Sequence, residues 1–293
     1  MIRKRKGIIL AGGLGTRLYP LTLAVSKQLL PIYDKPMIYY PITVLMLSGI
    51  REILVITTPE DLPQFIRVLG DGRQWGISIK FKVQESPDGL AQAYLIAEDF
   101  LNGAPSALIL GDNIFFGNGL VQLLRSADQR LQGATVFGYH VNDPNRYGVL
   151  GFDKDGKVAS IKEKPANPAS NYAVTGLYFA DDTAPERCKD ISPSQRGELE
   201  ITSLLNGYLN EGSLHIELMG RGFSWLDTGT HTSLLDASNF VKTLTERQGL
   251  QVGAPDEVAY HQKWITKADL LQRAKKFEKN YYGKYLENLA NGS

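Results

Sequence analysis

The sequence is poor in cysteine and histidine, and each scarcity excludes a class of protein. Its only cysteine is Cys188, so neither an internal disulfide nor a thiolate metal cluster can form, which fits a reducing compartment. The histidines His140, His215, His231 and His261 are scattered along the chain without the spacing of a metal site. A structural zinc site is therefore not expected.

The chain also lacks an excess of one charge and a long apolar run. Its 293 residues include 32 lysines and arginines and 31 aspartates and glutamates, a formal net charge of +1, which argues against nucleic acid or a membrane as partner. The apolar stretch Pro36–Ile50 is shorter than the ~18 residues that span a membrane. Four of the six residues Met1–Lys6 are basic, but the following apolar run is too short for a signal peptide. We expect a solvated lead-in to the first strand and a soluble cytoplasmic protein.

Short apolar runs alternate with amphipathic stretches in the first half of the chain, which predicts a parallel sheet covered by helices. The predicted strands are Gly7–Ala11, Glu52–Thr57, Ile79–Gln84 and Ala107–Leu110. The predicted helices are Pro36–Ser48, Glu60–Leu69 and Gly89–Leu101.

The second half begins with strands separated by turn residues and ends with helices. The predicted strands are Ala134–His140, Gly148–Phe152, Val158–Lys162 and Tyr172–Phe179. The predicted helices are Glu198–Leu209, His231–Arg247 and Lys267–Leu289. One apolar stripe on the second of these helices contains Leu234, Leu235, Ala237, Phe240, Val241 and Leu244. Together the patterns predict one α/β domain: a doubly wound, mixed but mostly parallel sheet, helices on both faces, and small β and C-terminal helical additions.

A glycine-rich segment follows the first predicted strand. Gly12, Gly13 and Gly15 allow backbone N–H groups to converge on a phosphate, because no Cβ blocks the approach. Leu18 stands where a dinucleotide fingerprint needs its third glycine, and the Lys-Ser/Thr pair of a P-loop is missing. What remains is a glycine loop with Arg17 at its end and Lys27 ten residues later, a pair of cations suited to a triphosphate. The alternative is a tight turn with two surface cations.

Longer motifs resemble those of the sugar nucleotidyltransferases. Gly12–Leu18, Pro20–Thr22 and Lys27–Pro31 are similar to the general signature of that family. Further motifs resemble its glucose-1-phosphate thymidylyltransferase branch: Tyr33–Pro41, Ser86–Ala93, Leu110–Asn113, Ala173–Tyr178, Arg196–Thr202 and Gly222–Thr230. The resemblance implies a Rossmann-like nucleotidyltransferase fold, with a nucleotide-binding half near residues 1–112, a sugar-binding half near 113–230 and a C-terminal region, 231–293, for assembly and regulation.

The resemblance also implies a reaction. It is the Mg²⁺-assisted attack of α-D-glucose 1-phosphate on the α-phosphate of dTTP, which gives dTDP-glucose and pyrophosphate and begins the synthesis of dTDP-deoxysugars such as rhamnose for cell-surface polysaccharide. The sugar phosphate is itself the nucleophile, which agrees with a sequence without a plausible catalytic triad. Three alternatives stay open: UTP or another sugar 1-phosphate as substrate, a non-catalytic nucleotide-sugar sensor, and an NAD-dependent oxidoreductase, which the missing glycine disfavours.

Site residues follow from the same resemblance. Arg17, Lys27 and Lys164 are the expected catalytic cations. The expected nucleotide-binding residues are Leu10, Gly12, Gly13, Gly15, Thr16, Gln84, Pro87, Gly89 and Leu90. The expected sugar-binding residues are Asn113, Tyr147, Gly148, Glu163, Val174, Tyr178 and Trp225. Gln84 can pair with a pyrimidine edge through both ends of its amide, or it is simply a surface glutamine, and Trp225 either stacks on the sugar or fills the core.

Two aspartates are the expected magnesium ligands. Asp112 follows the predicted strand Ala107–Leu110, at the edge where doubly wound sheets bind ligands, and Asp227 lies at another strand end. By resemblance both hold Mg²⁺, an ion that prefers hard oxygen ligands. The alternatives are an Asx turn or an N-cap for a helix near Gly119 in the case of Asp112, and a turn aspartate in the case of Asp227.

Regulation is a further expectation from the resemblance. Members of the family are commonly tetramers that their end product inhibits at a site between subunits. A homotetramer with dTDP-rhamnose as feedback inhibitor is therefore expected, with Arg221 and Glu257 in stretches that match the inhibitory site. The alternative for both residues is an ordinary solvent-exposed charge.

Overall fold

The computed structural model describes residues 4–292 as strands and helices built around one large mixed sheet. The strands are β1 (Lys6–Ala11), β2 (Pro31–Ile32), β3 (Lys35–Pro36), β4 (Glu52–Thr57), β5 (Ser78–Val83), β6 (Ser106–Leu110), β7 (Asn113–Gly117), β8 (Ala134–His140), β9 (Gly148–Phe152), β10 (Val158–Glu163), β11 (Tyr172–Ala180), β12 (Leu214–Met219) and β13 (Phe223–Asp227). The α-helices are α1 (Tyr39–Leu47), α2 (Leu62–Leu69), α3 (Gln92–Leu101), α4 (Leu120–Gln129), α5 (Ala184–Lys189), α6 (Ile201–Asn210), α7 (His231–Gln248), α8 (Pro255–His261), α9 (Lys267–Lys276) and α10 (Tyr281–Asn291).

The main sheet has a parallel half and a mixed half. In the parallel half the strand order is β5-β4-β1-β6, and Ile9 of β1 lies between Val55 of β4 and Ile109 of β6. Strand β11 then pairs antiparallel with β6 and carries the sheet into the second half of the chain. There β11 pairs with β8 and β9, β8 pairs in parallel with β12, and β9 forms a hairpin with β10. The sheet thus draws strands from both predicted halves of the chain.

Both faces of the sheet are covered by helices, as the alternation of side chains along β1 requires. Ile9 packs with α1 residues such as Ile42 in one core. Its neighbour Ile8 packs with α3 residues such as Tyr94 in a second core on the opposite face. The predicted α/β class with a mixed sheet between helices is confirmed.

A separate two-stranded ribbon positions the candidate site. Two residues, Gly111 and Asp112, separate β6 from β7, and β7 pairs antiparallel with β13, so that Asn113 lies opposite Asp227. The ribbon therefore brings the chain around Asp112 next to a segment more than a hundred residues later.

The basic N-terminus differs from the expected solvated lead-in. Arg5 is buried: its guanidinium donates to the carbonyls of Ser106 and Ala180, each at 2.8 Å, and pairs with Asp128 at 3.0 Å. The prediction of solvation is wrong for this residue because the adjoining strand ends and α4 leave carbonyls that need donors. The part of the prediction that concerns Met1, Ile2 and Arg3 lies outside the described residues.

Helix α1 begins three residues later than the pattern predicts. Before it, Lys35 and Pro36 pair with Ile32 and Pro31 in the β2–β3 ribbon. The next N–H groups are also taken, since Met37 donates to the Leu30 carbonyl at 2.9 Å and Ile38 to the Gln28 carbonyl at 2.8 Å. These pairs with residues that precede the helix compete with the first turn of the predicted helix and delay its start.

The C-terminal region differs from the prediction at two places. The expected helix Lys267–Leu289 is two helices, because the Asn280 side chain caps α10 by accepting from the Gly283 N–H at 3.0 Å. On α7 the predicted apolar stripe loses one member, because Leu235 is exposed. Within residues 4–292, no helix combines the length and apolar character needed to cross a bilayer.

Candidate active site

One cavity of about 250 Å³ opens beyond the carboxyl end of β6. Its lining includes residues predicted from the glycine loop, the two predicted magnesium ligands, and residues predicted to bind the sugar. Twelve of them line it: Arg17, Leu90, Asp112, Asn113, Tyr147, Gly148, Glu163, Lys164, Val174, Tyr178, Trp225 and Asp227.

The two predicted metal ligands each hold one cation within hydrogen-bond distance. Lys27 Nζ lies 2.5 Å from Asp112 Oδ2, and Arg146 Nη2 lies 3.1 Å from Asp227 Oδ2. Each aspartate side chain is about one-quarter exposed, at 26% and 25%. Asp112 is not a helix cap, because α4 begins at Leu120 with Gly119 as its N-cap.

Asn113 orients the first of these carboxylates. Its Oδ1 accepts hydrogen bonds from Trp225 Nε1 at 2.6 Å and from the Gly176 N–H at 3.2 Å, which leaves Nδ2 to donate to Asp112 Oδ1 at 2.8 Å. A Cβ at Gly176 would lie 2.5 Å from that Oδ1, so only glycine fits there. Trp225 belongs to the buried core although it also lines the cavity, which favours the packing alternative.

The donor set suits a hard divalent cation that shares its ligands with substrate. Among residues 4–292, no group of three or more His, Cys, Asp or Glu side chains is placed to enclose a metal. Mg²⁺ is usually held by one or two carboxylates and completed by phosphate oxygens and water rather than by a protein cage. Asp112 and Asp227 face one cavity and already balance positive charge there. The residues present therefore fit such an ion.

The glycine loop has the backbone that its composition predicts. Gly13 and Gly15 adopt φ angles of 95° and 59°, a left-handed region that other residues rarely enter. Thr16 begins a short 3₁₀ turn that ends at Leu18, and the carbonyl of Leu10 accepts from the Gly111 N–H at 2.9 Å. Of the two cations that follow the loop, Arg17 is exposed at the cavity and Lys27 is buried. The alternative of a tight turn with two surface cations is therefore wrong for Lys27.

The predicted base-binding residues lie beside this loop. Gln84 is only 5% exposed, so the surface-glutamine alternative is wrong, and a Cβ on Gly12 would overlap its Oε1. Pro87 is exposed in the following loop. Gly89, at φ 117°, packs so closely on the Leu199 backbone that a Cβ would lie 2.5 Å from the Leu199 nitrogen. Leu90 joins this segment to the cavity.

The sugar-side residues combine strain and burial. Lys164 has a φ of 38°, unusual for a residue with a Cβ, and its N–H donates to the Tyr147 carbonyl at 2.9 Å. Its Nζ lies 3.8 Å from Glu163 Oε1. Burial, followed by the negative charge of Glu200, raises the pKa of Glu163. Burial likewise raises the pKa of the Tyr147 and Tyr178 hydroxyls, which keeps both protonated at neutral pH.

Sequence reasoning missed several residues of the cavity. Arg146 pairs with Asp227, which lies 81 positions further along the chain. No local sequence pattern can indicate a pair at that distance. Gly176 and Thr202 do lie within the quoted motifs Ala173–Tyr178 and Arg196–Thr202, which were the available signal. Leu110 and Ile201 complete the lining.

The two predicted regulatory residues lie elsewhere, in two different cavities. Arg221 is exposed beside Tyr139 and Tyr172. Glu257 lines a cavity of about 260 Å³ between α1, β7 and α8. Its side chain is 23% exposed, and burial raises its pKa, so the alternative of an ordinary exposed charge is wrong for Glu257.

Comparison with known proteins identifies relatives along nearly the whole chain. The family described as nucleotidyl transferase matches residues 6–243. A glucose-1-phosphate thymidylyltransferase of Xanthomonas campestris is 62% identical over 98% of this chain and 97% of its own length. One of Neisseria gonorrhoeae is 56% identical over 97% of this chain and 99% of its own.

Solved structures agree with these sequence matches. A Bacillus anthracis protein described as a glucose-1-phosphate thymidylyltransferase, in complex with sucrose, has a TM-score of 0.74 and 41% identity, covering 80% of this chain and 94% of its own. A UDP-glucose pyrophosphorylase complexed with UDP-glucose shares the fold, with a TM-score of 0.72 at 24% identity, covering 82% of this chain and 99% of its own.

These matches confirm the resemblance that the sequence motifs indicated. Proteins of this class are enzymes, and they generally act with a divalent metal ion. The chain belongs to the nucleotidyl transferase family and, within it, to the branch formed by the glucose-1-phosphate thymidylyltransferases.

Proposed function

We propose that this protein transfers a thymidylyl group from dTTP to α-D-glucose 1-phosphate and releases pyrophosphate. The observation that carries the proposal is the single cavity in which Arg17 and Lys164 face Asp112 and Asp227 beside the glycine loop. Such a site can bring two anions together and neutralise the charge that builds up as pyrophosphate leaves. The relatives named for this reaction support the choice of substrates.

The chemistry needs no nucleophilic side chain. A phosphate oxygen of the sugar phosphate attacks the α-phosphorus of dTTP, and the bond from that phosphorus to the oxygen bridging to the β-phosphate breaks. Arg17 is assigned to the triphosphate and the leaving pyrophosphate, and Lys27, held at Asp112, contributes to the same cluster of charge. Lys164 pairs with the sugar phosphate, and its strained backbone is of the kind that persists where the surroundings fix a functional group.

Asp112 and Asp227 would hold the magnesium ion, with Asn113 orienting the first carboxylate. When bound, the ion supplies positive charge to phosphate oxygens. Lys27 and Arg146 balance these carboxylates within the protein itself, which keeps two half-buried negative charges at one site tolerable.

The sugar is assigned to the opposite end of the cavity. Glu163 accepts hydrogen bonds from sugar hydroxyls, and the protonated Tyr147 and Tyr178 hydroxyls can donate to them. Val174 and Gly148 complete the wall. On the nucleotide side, Gln84 next to Gly12 is assigned to the pyrimidine edge.

A pyrophosphate-release assay tests the proposal. Initial rates are compared for dTTP, UTP and CTP at fixed glucose 1-phosphate, and then for other sugar 1-phosphates at fixed dTTP. We expect dTTP with glucose 1-phosphate to be preferred. A preference for UTP of about tenfold (~1.4 kcal/mol) would instead assign the reaction to another base. Tight binding of a nucleotide sugar without pyrophosphate release would favour the sensor, and a change in nicotinamide absorbance with sugar substrates would favour the oxidoreductase.

We also propose a homotetramer that the end product, dTDP-rhamnose, inhibits at a site shared between subunits. Arg221 and Glu257 line different cavities of one chain, which agrees with a site formed between two copies. Such a site would place the Arg221 guanidinium near the diphosphate and the Glu257 carboxylate near a hydroxyl. The cytoplasmic location stays a prediction.

A further inference from the structure

A chain of hydrogen-bonded side chains runs away from Gln84 on the side opposite to the glycine loop. Gln84 Nε2 donates to Gln92 Oε1 at 2.5 Å, and Gln92 Nε2 donates to Asp88 Oδ2 at 2.9 Å. Gln92 is the first residue of α3, and Asp88 lies in the loop that precedes it. The chain thus ties a buried residue of the proposed base site to a carboxylate near the surface.

The carboxylate gives this chain one direction. An ionised carboxylate can only accept hydrogen bonds, so the amide of Gln92 must turn its Nε2 towards Asp88 and its Oε1 away. The backbone N–H of Asp88, which can only donate, bonds to the same Gln92 Oε1 at 3.3 Å. With the Gln92 oxygen fixed from two sides, Gln84 must present its Nε2 to it.

The direction of the chain decides which end of Gln84 is free. Its nitrogen is engaged by Gln92, and its Oε1 faces the glycine loop, where it occupies the space that a Cβ of Gly12 would need. Gln84 is almost fully buried, and reversing its amide would set its oxygen against the Gln92 oxygen. The group offered on the loop side is therefore a hydrogen-bond acceptor.

We propose that Gln92 and Asp88 are positioning residues that make the nucleotide site select an imide nucleobase, such as thymine or uracil, against cytosine. The inference rests on the proposed function, in which the base lies against Gln84. An imide carries an N–H between two carbonyls, and cytosine carries a lone pair at the same ring nitrogen. A glutamine that is free to turn its amide can meet either group, whereas one that is held with its oxygen forward pairs with the N–H and repels the lone pair.

Equilibrium binding of three nucleotides tests this assignment. The probes are dTTP, dUTP and dCTP, which share one sugar and one triphosphate, so the measured ratios report the base alone. The variants are Asp88→Asn, whose amide can turn either way, and Gln92→Leu, which removes the polar link at similar size. Glu85→Gln is the matched control, because it changes an exposed carboxylate of the same loop to an amide. Thermal unfolding of each variant shows whether it is folded.

We expect the preference for dTTP over dCTP to fall by about tenfold or more in both variants. The ratio of dTTP to dUTP should stay as in the unaltered protein, because both bases present the same imide. The control should keep both ratios. A merely structural role would weaken all three nucleotides together and leave the ratios unchanged, which would overturn the inference. If one variant does not fold, the other decides.

The same experiment separates this inference from the proposed function. If the protein binds dTTP but releases no pyrophosphate with glucose 1-phosphate, the proposed function fails, and the binding ratios still decide the role of Gln92 and Asp88. If pyrophosphate is released but the variants keep the original preference for dTTP over dCTP, only this inference fails. If no nucleoside triphosphate binds, both fail.

Discussion

Pairs of a carboxylate and a cation occur in two very different settings in this molecule. At the candidate active site, Asp112 and Asp227 each meet one cation and keep about a quarter of their side chains exposed. In the C-terminal region, Asp256 is fully buried, and both of its oxygens are used, by Arg273 Nε at 2.6 Å and by the Tyr282 hydroxyl at 2.9 Å.

The difference separates exchangeable ion pairs from permanent ones. A partly exposed aspartate beside an open cavity can exchange its cation for a metal ion or a substrate charge, because water solvates the charged groups while they change partners. A buried aspartate has no such compensation, and losing its partner leaves an isolated charge in a low-dielectric interior. The Asp256 cluster joins α8, α9 and α10, and the Arg273 guanidinium also lies over the Phe277 ring, 5.1 Å from its centroid.

The largest effect that this comparison predicts is on stability. Asp256→Ala should lower the free energy of unfolding by about 3–5 kcal/mol, because it leaves the largely buried Arg273 guanidinium without its carboxylate. Urea unfolding of the purified variant measures this value. The matched control is Asp99→Ala, whose carboxylate is 94% exposed and lies 3.5 Å from Lys82. It should cost no more than about 1 kcal/mol. Equal losses in the two variants would contradict the distinction between buried and exposed pairs.

The next effect is on turnover rather than stability. Asp112→Asn and Asp227→Asn should each lower turnover by at least ~10²-fold, because each removes a charge that, under the proposed function, would hold the metal ion. Asp227→Asn should change the free energy of unfolding by about 1 kcal/mol or less, as expected of a part-exposed pair. Asp112→Asn should cost more than this, because it leaves the buried Lys27 ammonium without its carboxylate. Steady-state pyrophosphate release and urea unfolding on the same preparations check both halves of the prediction.

Asp143→Asn is the control for this pair of variants. Asp143 also holds Arg146, at 2.9 Å, but does not line the cavity. If Asp227 served only to fix Arg146, the two substitutions would behave alike. Near-normal turnover in Asp112→Asn or Asp227→Asn would remove that residue from the mechanism.

The sequence predicted best what depends on local patterns. The continuous apolar run of β1 and the glycines after it are local, so the strand and the loop with positive φ angles at Gly13 and Gly15 were found. The position of Asp112 also followed, because the carboxyl ends of parallel strands meet at one edge of a sheet. The family motifs added residues such as Glu163 and Val174, which do line the same cavity.

Features that depend on distant pairing were not predictable in this way. The start of α1 depends on carbonyls of Gln28 and Leu30, and the burial of Arg5 depends on carbonyls from three other segments. Asn113 was expected only as a sugar ligand, because its bonds to Trp225 and Gly176 cross 112 and 63 positions of the chain. Periodicity describes one segment at a time and contains no information on such partners.

The smallest predicted effect is on the KM for glucose 1-phosphate, and it concerns Glu163, a carboxylate that combines features of the exposed and the buried pairs. Glu163 lies at the cavity, yet burial and the charge of Glu200 raise its pKa above the ordinary 4.5. As the pH falls through this raised pKa, Glu163 becomes protonated earlier than an ordinary glutamate and, under the proposed function, no longer accepts as strongly from sugar hydroxyls. The KM for glucose 1-phosphate should therefore rise on acidification.

Acidification should weaken sugar binding by Glu163 but strengthen the contribution of Glu163 to the free energy of unfolding. A raised carboxyl pKa means that the folded protein holds this proton more tightly than the unfolded chain, so the contribution of Glu163 to stability is present at low pH and is lost as the pH rises through the raised pKa. Glu163→Gln should raise KM at neutral pH by roughly tenfold, the size expected for one charged hydrogen bond. It should also remove the part of the rise in KM at acidic pH (the acid limb) that protonation of Glu163 causes. The part caused by titration of the sugar phosphate should be the same in both proteins. Glu198→Gln lies outside the cavity; it loses the pair with Arg196 and the smaller contribution of the Glu198 charge to the pKa of Glu163. It should therefore keep the acid-side rise in KM and shift it only slightly to lower pH. An identical acid limb in the protein and in Glu163→Gln would show that this carboxylate does not bind the sugar.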